Sequence, residues 1–215
     1  MPVSHRISFF AFVVAAFAFS AKPAVAQPTQ DQQAAMLLAA GQKAYNDANY
    51  PFAADRFREF LTKFGGHKNA HAARYGLGLA LLDIQPPDYQ KAVEALGPPA
   101  NEKAFPDRAL ALYYLGVAQR GLGHKELAEG IAKPNEMQQR AQNANGKFNE
   151  AVRQFTAARE AFEKKTPPDA EWAARARCDR AEMELRLNKT KEARTTAEPF
   201  AKDAALAKSK FRPLG

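Results

Sequence analysis

Residues 34–66 read AAMLLAAGQKAYNDANYPFAADRFREFLTKFGG, and this stretch decides the fold. Met36, Leu37, Ala40, Ala44 and Tyr45 fall near one face of a helix. Residues 46–49 supply a polar turn. Tyr50, Ala53, Phe57, Phe60, Leu61 and Phe64 then recur at three- and four-residue steps, the spacing of a second amphipathic helix. Gly65-Gly66 stops it. Two helices joined by so short a turn form an antiparallel αα-hairpin.

The unit recurs along the chain. Residues 69–83 have helical spacing, 84–88 make a turn, and 89–96 form the next helix, closed by Gly97-Pro98-Pro99. Residues 107–120 begin a third hairpin, closed by Gly121-Leu-Gly123. Residues 171–187 and 191–203 make a final pair around a turn at 188–190. Between them, 121–146 contains Gly130, Pro134 and a polar run at 135–145, with few side chains able to build a core. It reads as an elaborated turn, or else as a weak extra repeat. Phe148, Val152, Phe155, Ala158 and Phe162 share one helix face beyond it. The predicted hairpins are thus 34–65, 69–97, 107–164 and 169–203, with an incomplete repeat at 204–215 after a polar leader at 27–33. Val and Ile are scarce after residue 26 and nothing alternates with period two, so the expected class is all-α.

These segments resemble tetratricopeptide repeats, which carry a Leu-Gly step on the first helix and Ala-x3-Phe on the second. Ala40-Gly41, Leu77-Gly78 and Leu115-Gly116 match the first step. Ala53-x3-Phe57, Ala92-x3-Leu96, Ala151-x3-Phe155 and, weakly, Ala193-x3-Ala197 match the second. The small residues let two helices approach closely. The resemblance covers most of 34–215 and implies a right-handed solenoid of antiparallel helix pairs. Its concave face would be lined by first helices and would take a peptide or protein partner. Carried over residue by residue, that face comprises Leu38, Gln42, Tyr45, Tyr75, Leu79, Leu82, Tyr113, Val117 and Arg120. The tyrosines supply flat contact area or, alternatively, pack between hairpins; Arg120 supplies a grip for an acidic group. The subclass that holds C-terminal carboxylates places Lys and Asn where Leu38 and Gln42 stand here, so that ligand is not implied. Ala181 takes the small-residue place in the last hairpin and Gly215 follows it by one repeat length. The expectation is a longer protein, or a partner or second copy covering the open end.

The N-terminus carries a different message. A basic head ending at Arg6 precedes an uncharged apolar run from Ile7 to Ala21, and Ala24-Val25-Ala26 follows Lys22-Pro23. This is the pattern of an export signal cleaved between Ala26 and Gln27. The run is shorter than the roughly 20 residues a membrane span needs, and no cysteine stands at the cleavage point for lipid attachment. The expectation is an exported protein, periplasmic or secreted, with no stable membrane anchor after cleavage. Loss of Arg6 and Lys22 lowers the formal charge from +8 to +6. The excess is spread along the chain, as on a solvated helical surface, though it also admits an anionic wall polymer as ligand.

No catalytic constellation stands out, and no cofactor or metal is implied. His67 and His71 are one helical turn apart, but no acid or cysteine close in sequence completes a metal site. Cys178, the only cysteine, excludes an internal disulfide and sits among alanines in a helical pattern. Trp172, the only tryptophan, would pack against Phe162 or a neighbouring hairpin, or else anchor a partner. Basic residues do not interleave with aromatics as nucleic-acid readers require. The expected function is a non-catalytic interaction scaffold of the cell envelope. The alternatives are the helical-repeat N-terminal part of a larger envelope enzyme or assembly factor, and a binder of anionic polymer.

Overall fold

A computed structural model describes residues 28–203 together with Leu206, Ser209 and Phe211. The proposed signal and its cleavage point, and most of the proposed incomplete repeat at 204–215, lie outside the described residues. Those described are all-α, without a strand. Helices α1 (Gln30–Asn46), α2 (Tyr50–Phe64), α3 (Ala70–Asp83) and α4 (Tyr89–Asn101) are followed by the long α5 (Arg108–Ala132) and α6 (Met137–Glu163). Then come α7 (Ala170–Arg186), α8 (Thr190–Ala197) and the short α9 (Pro199–Lys202). Each helix from α1 to α8 packs on the next, and α3 also touches α1 and α5.

The packing rests on a pairing of absent and large side chains. A Cβ on Gly41 of α1 would stand 2.7 Å from the Phe57 ring of α2, and one on Gly76 of α3 only 2.4 Å from the same ring. Phe57, 1% exposed, therefore fills a slot between α1 and α3 that a methyl group would close. Gly78 gives the same room to Leu96, and Gly116 to Phe155. One apolar cluster runs through α1–α4 around Phe57, Phe60 and Leu81; a second runs through α4–α7 around Tyr113, Phe148, Phe155 and Phe162.

Turn chemistry repeats too. In the α1–α2 turn, Ala48 adopts φ 57° and the amide of Asn49 donates to the Ala44 carbonyl at 2.8 Å. In the α7–α8 turn, Asn188 adopts φ 57° and the Lys189 amide donates to the Glu184 carbonyl at 2.9 Å. The loops before α4 and α7 form a second matched pair. Both carry a cis bond before the first proline of Pro-Pro-Asp. Both close with an amide-to-carbonyl bond seven residues back, Asp88 to Leu81 and Asp169 to Phe162. In both, the aspartate side chain caps the new helix, accepting from the amide of Lys91 or Trp172.

Three sequence expectations need correction. Residues 121–146 are not an elaborated turn, because α5 runs through Gly121-Leu-Gly123 to Ala132 and α6 starts at Met137 after a 3₁₀ turn, Pro134–Glu136. Those glycines do not end the helix; they make room, Gly121 for the Tyr89 ring and Gly123 for Phe148. The polar run belongs to the arm that α5 and α6 extend together. Arg140 ties that arm across, reaching Glu126 at 3.0 Å, Glu129 at 2.5 Å and Glu136 at 3.0 Å. Gly97-Pro98-Pro99 does not end α4 either: the helix continues to Asn101 because Pro99 and Ala100 are buried in the core, which outweighs the two missing amide donors. Finally, the leader is shorter than 27–33, since Thr29 and Gln32 form a capping box that starts α1 at Gln30.

Candidate binding groove

The first helices of the hairpins, α1, α3, α5 and α7, bring a row of aromatic side chains together. Tyr45 of α1 donates its hydroxyl to Asp83 Oδ2 of α3 at 2.6 Å. Tyr75 of α3 stands 6.4 Å, ring to ring, from Tyr114 of α5, and Tyr114 stands 6.1 Å from Trp172 of α7. Burial raises the pKa of all three tyrosines: next in weight come the bond to Asp83 for Tyr45 and the proximity of Tyr114 and then Asp107 for Tyr75. These hydroxyls therefore stay protonated donors in water at any physiological pH.

Between α1 and α3 the row opens into a cavity of about 330 Å³ lined by Gln42, Tyr45, Tyr75, Leu79 and Asp107, among others, with the edge of Phe57 among its walls. Four of the nine face residues inferred from sequence thus meet in one place. Leu38, Leu82 and Val117 are half-buried and pack against the cores. Tyr113 is not a face residue, being fully buried. Its ring lies against Phe155, Trp172 and Tyr114, and its hydroxyl donates to Asp179 Oδ2 at 2.5 Å. Arg120 is engaged inside the chain, 3.0 Å from Asp179 and 3.4 Å from Glu182. Its guanidinium holds α5 to α7 instead of waiting for an external acid.

Sequence reading missed Tyr114, Asp83 and Asp107. Tyr114 lies one residue from Tyr113, and counting back three from Gly116 selected the wrong one of the two. Helical spacing from Leu110 to Tyr114 to Val117 carries the correct register.

The other polar candidates take structural places. The His67 ring packs on Phe60, with Nε2 3.4 Å from Asp31, while His71 packs on Phe105. Among the described residues, no three His, Cys, Asp or Glu side chains gather as a metal site. Trp172 stacks on Phe162 at 5.8 Å. Cys178 lines a separate cavity of about 760 Å³ between α7 and α8, with Ala181, Leu185, Ala193 and Ala197. Burial raises its thiol pKa, followed by the nearby Asp179 and Glu182. No described helix is long and apolar enough to cross a membrane. No protein-family model matches the chain, and neither a curated protein nor a solved structure matches it.

Proposed function

We propose that this protein is a non-catalytic, exported interaction scaffold of tetratricopeptide type that binds a peptide or protein partner of the cell envelope along its first helices. The observation that carries the reading is the row of Tyr75, Tyr114 and Trp172 on three successive first helices, continued at α1 by Tyr45, which lines a cavity of about 330 Å³ together with Tyr75. Aromatic rings with a polar tip give large contact area at low entropic cost, as recognition surfaces do. The Gly–Phe and Gly–Leu pairs recur where tetratricopeptide hairpins place their small and large residues, which supports the family reading.

The test is photo-crosslinking in envelope extract from a benzoylphenylalanine placed at Leu79. A discrete crosslinked partner, lost when Tyr45 and Tyr75 are both changed to alanine, is the expected result. Crosslinks that survive the double change would remove the groove from the interaction, and substrate turnover by the purified protein alone would end the scaffold reading. A second reading, self-association through the end face, is favoured by the 760 Å³ cavity beside Leu185, which is 55% exposed. Light scattering across a hundredfold concentration range tests it: a constant monomer mass excludes it, and a mass that Leu185→Glu returns to monomer supports it.

A further inference from the structure

Resting on the scaffold reading, we infer that the cavity between α1 and α3 is a cation site that takes a lysine or arginine side chain of the bound peptide. Its chemistry is one-sided. Tyr45 and Tyr75 both line it, Leu79 offers an apolar wall for an aliphatic stem, Gln42 offers an amide, and Asp107 brings a carboxylate; no lysine or arginine lines it. Asp83 adds a second carboxylate on the Tyr45 hydroxyl. A chain with net charge +8 thus offers an acid and tyrosines, and no basic residue, at this cavity.

Asp107 is the telling residue. It occupies the N-cap of α5, where Asp88 and Asp169 at the equivalent places of α4 and α7 bind the helix amides. Asp107 makes no such bond, and its exposed side chain lines the cavity instead. A cap aspartate released from capping leaves its charge available to a ligand cation.

One ring of the row, Trp172, already carries a cation. At the other end of the aromatic row, the Arg175 guanidinium lies 5.2 Å from the centre of Tyr113, 5.1 Å from Trp172 and 5.2 Å from Phe211. The row accepts a guanidinium from within the chain on Trp172 of α7, and the cavity at α1–α3 offers aromatic residues with the Asp107 carboxylate. A flat, charged group on a long stem meets both requirements: ring faces for the cation and an acid at the rim.

The experiment is fluorescence anisotropy of the whole chain with three labelled ten-residue peptides. Each has two phenylalanines and differs only in carrying four arginines, four glutamines or four glutamates. The arginine peptide should bind about tenfold more tightly than the glutamine peptide at low salt. Asp107→Asn combined with Asp83→Asn, which keeps an oxygen for the Tyr45 hydroxyl, should bring the two within about twofold. Asp55→Asn, on the exposed side of α2, should leave the preference intact, and far-ultraviolet dichroism confirms that each variant is folded. Equal binding of the arginine and glutamine peptides, or an arginine preference untouched by the double change, overturns the cation site. If binding is equal and is still lost on Tyr75→Ala, the groove reading survives without it. If none of the peptides binds, both fall.

Discussion

The ring of Phe155 lies where a side chain on Gly116 would have to begin, 2.7 Å from the position of its Cβ. Gly41 and Phe57 keep the same 2.7 Å relationship in the first hairpin. The partners are sixteen residues apart there and thirty-nine apart in the third, so the crossing is preserved although the connection between its helices is much longer. Gly116→Val should strain this crossing by about 1–3 kcal/mol, the usual range for forcing carbon into a packed core. The measurement is a urea midpoint. An unchanged midpoint would mean that the two helices separate freely.

Arg140 is the strap of the long arm, so Arg140→Ala should loosen the arm and little else. Amide exchange measured by mass spectrometry should rise severalfold across 124–145 while peptides from α1–α4 keep their protection. Uniformly faster exchange would show that the arm and the hairpin core open together.

The Tyr113 hydroxyl and the Arg120 guanidinium share Asp179. Tyr113→Phe removes one donor without opening a cavity, and a hydrogen bond to a charged acceptor contributes about 1.5–3 kcal/mol. The low end is expected, because Asp179 retains Arg120. A double-mutant cycle with Arg120→Met should return a coupling of at least about 0.5 kcal/mol; strict additivity would show that the two donors act independently.

Asp88 and Asp169 hold the same cap in matched Pro-Pro-Asp loops. Each change to alanine should cost about 1 kcal/mol by thermal melt. Asp107→Ala, which breaks no cap bond, should cost less than either. An equal loss at all three would contradict the distinction drawn between them.

His124 gives a pH signature. Burial, and after it the nearby Arg186, lowers its pKa below the ordinary imidazole value, and its ring packs edge-on against Phe148 at 5.3 Å. The unfolded chain therefore takes up the proton first. The associated stability is fully present above the unfolded value of about 6.5 and is lost as pH falls through the folded value. Between pH 7.5 and 5.5 the wild-type melting temperature should drop more than that of His124→Gln. Parallel curves for the two proteins would remove His124 from the pH response.

The hairpins were legible wherever apolar spacing and turn residues agreed. At 34–66, aromatic residues at helical steps lead straight to α1 and α2, because that face packs on both sides. The long arm was not legible for the converse reason. Its helices pack mainly on each other, so few core side chains are needed, and Gly121 and Gly123 carry the composition of a turn while serving as slots for Tyr89 of α4 and Phe148 of α6. The groove was half legible. The spacing expected from the resemblance reached Tyr45, Tyr75 and Leu79, but Asp83 and Asp107 sit at helix ends, where an acid has several uses that only the tertiary arrangement separates.

The arm also restricts how this chain can change length. Residues inserted into α5 rotate everything after them by about 100° each, so an addition survives only when α6 gains a matching one. Growth by paired whole turns is the permitted step, and paired removal of about three turns from each helix should yield a shortened protein in which Gly116 still meets Phe155. Such a trimmed variant would make a compact crystallisation target, with the aromatic row of α1, α3, α5 and α7 untouched.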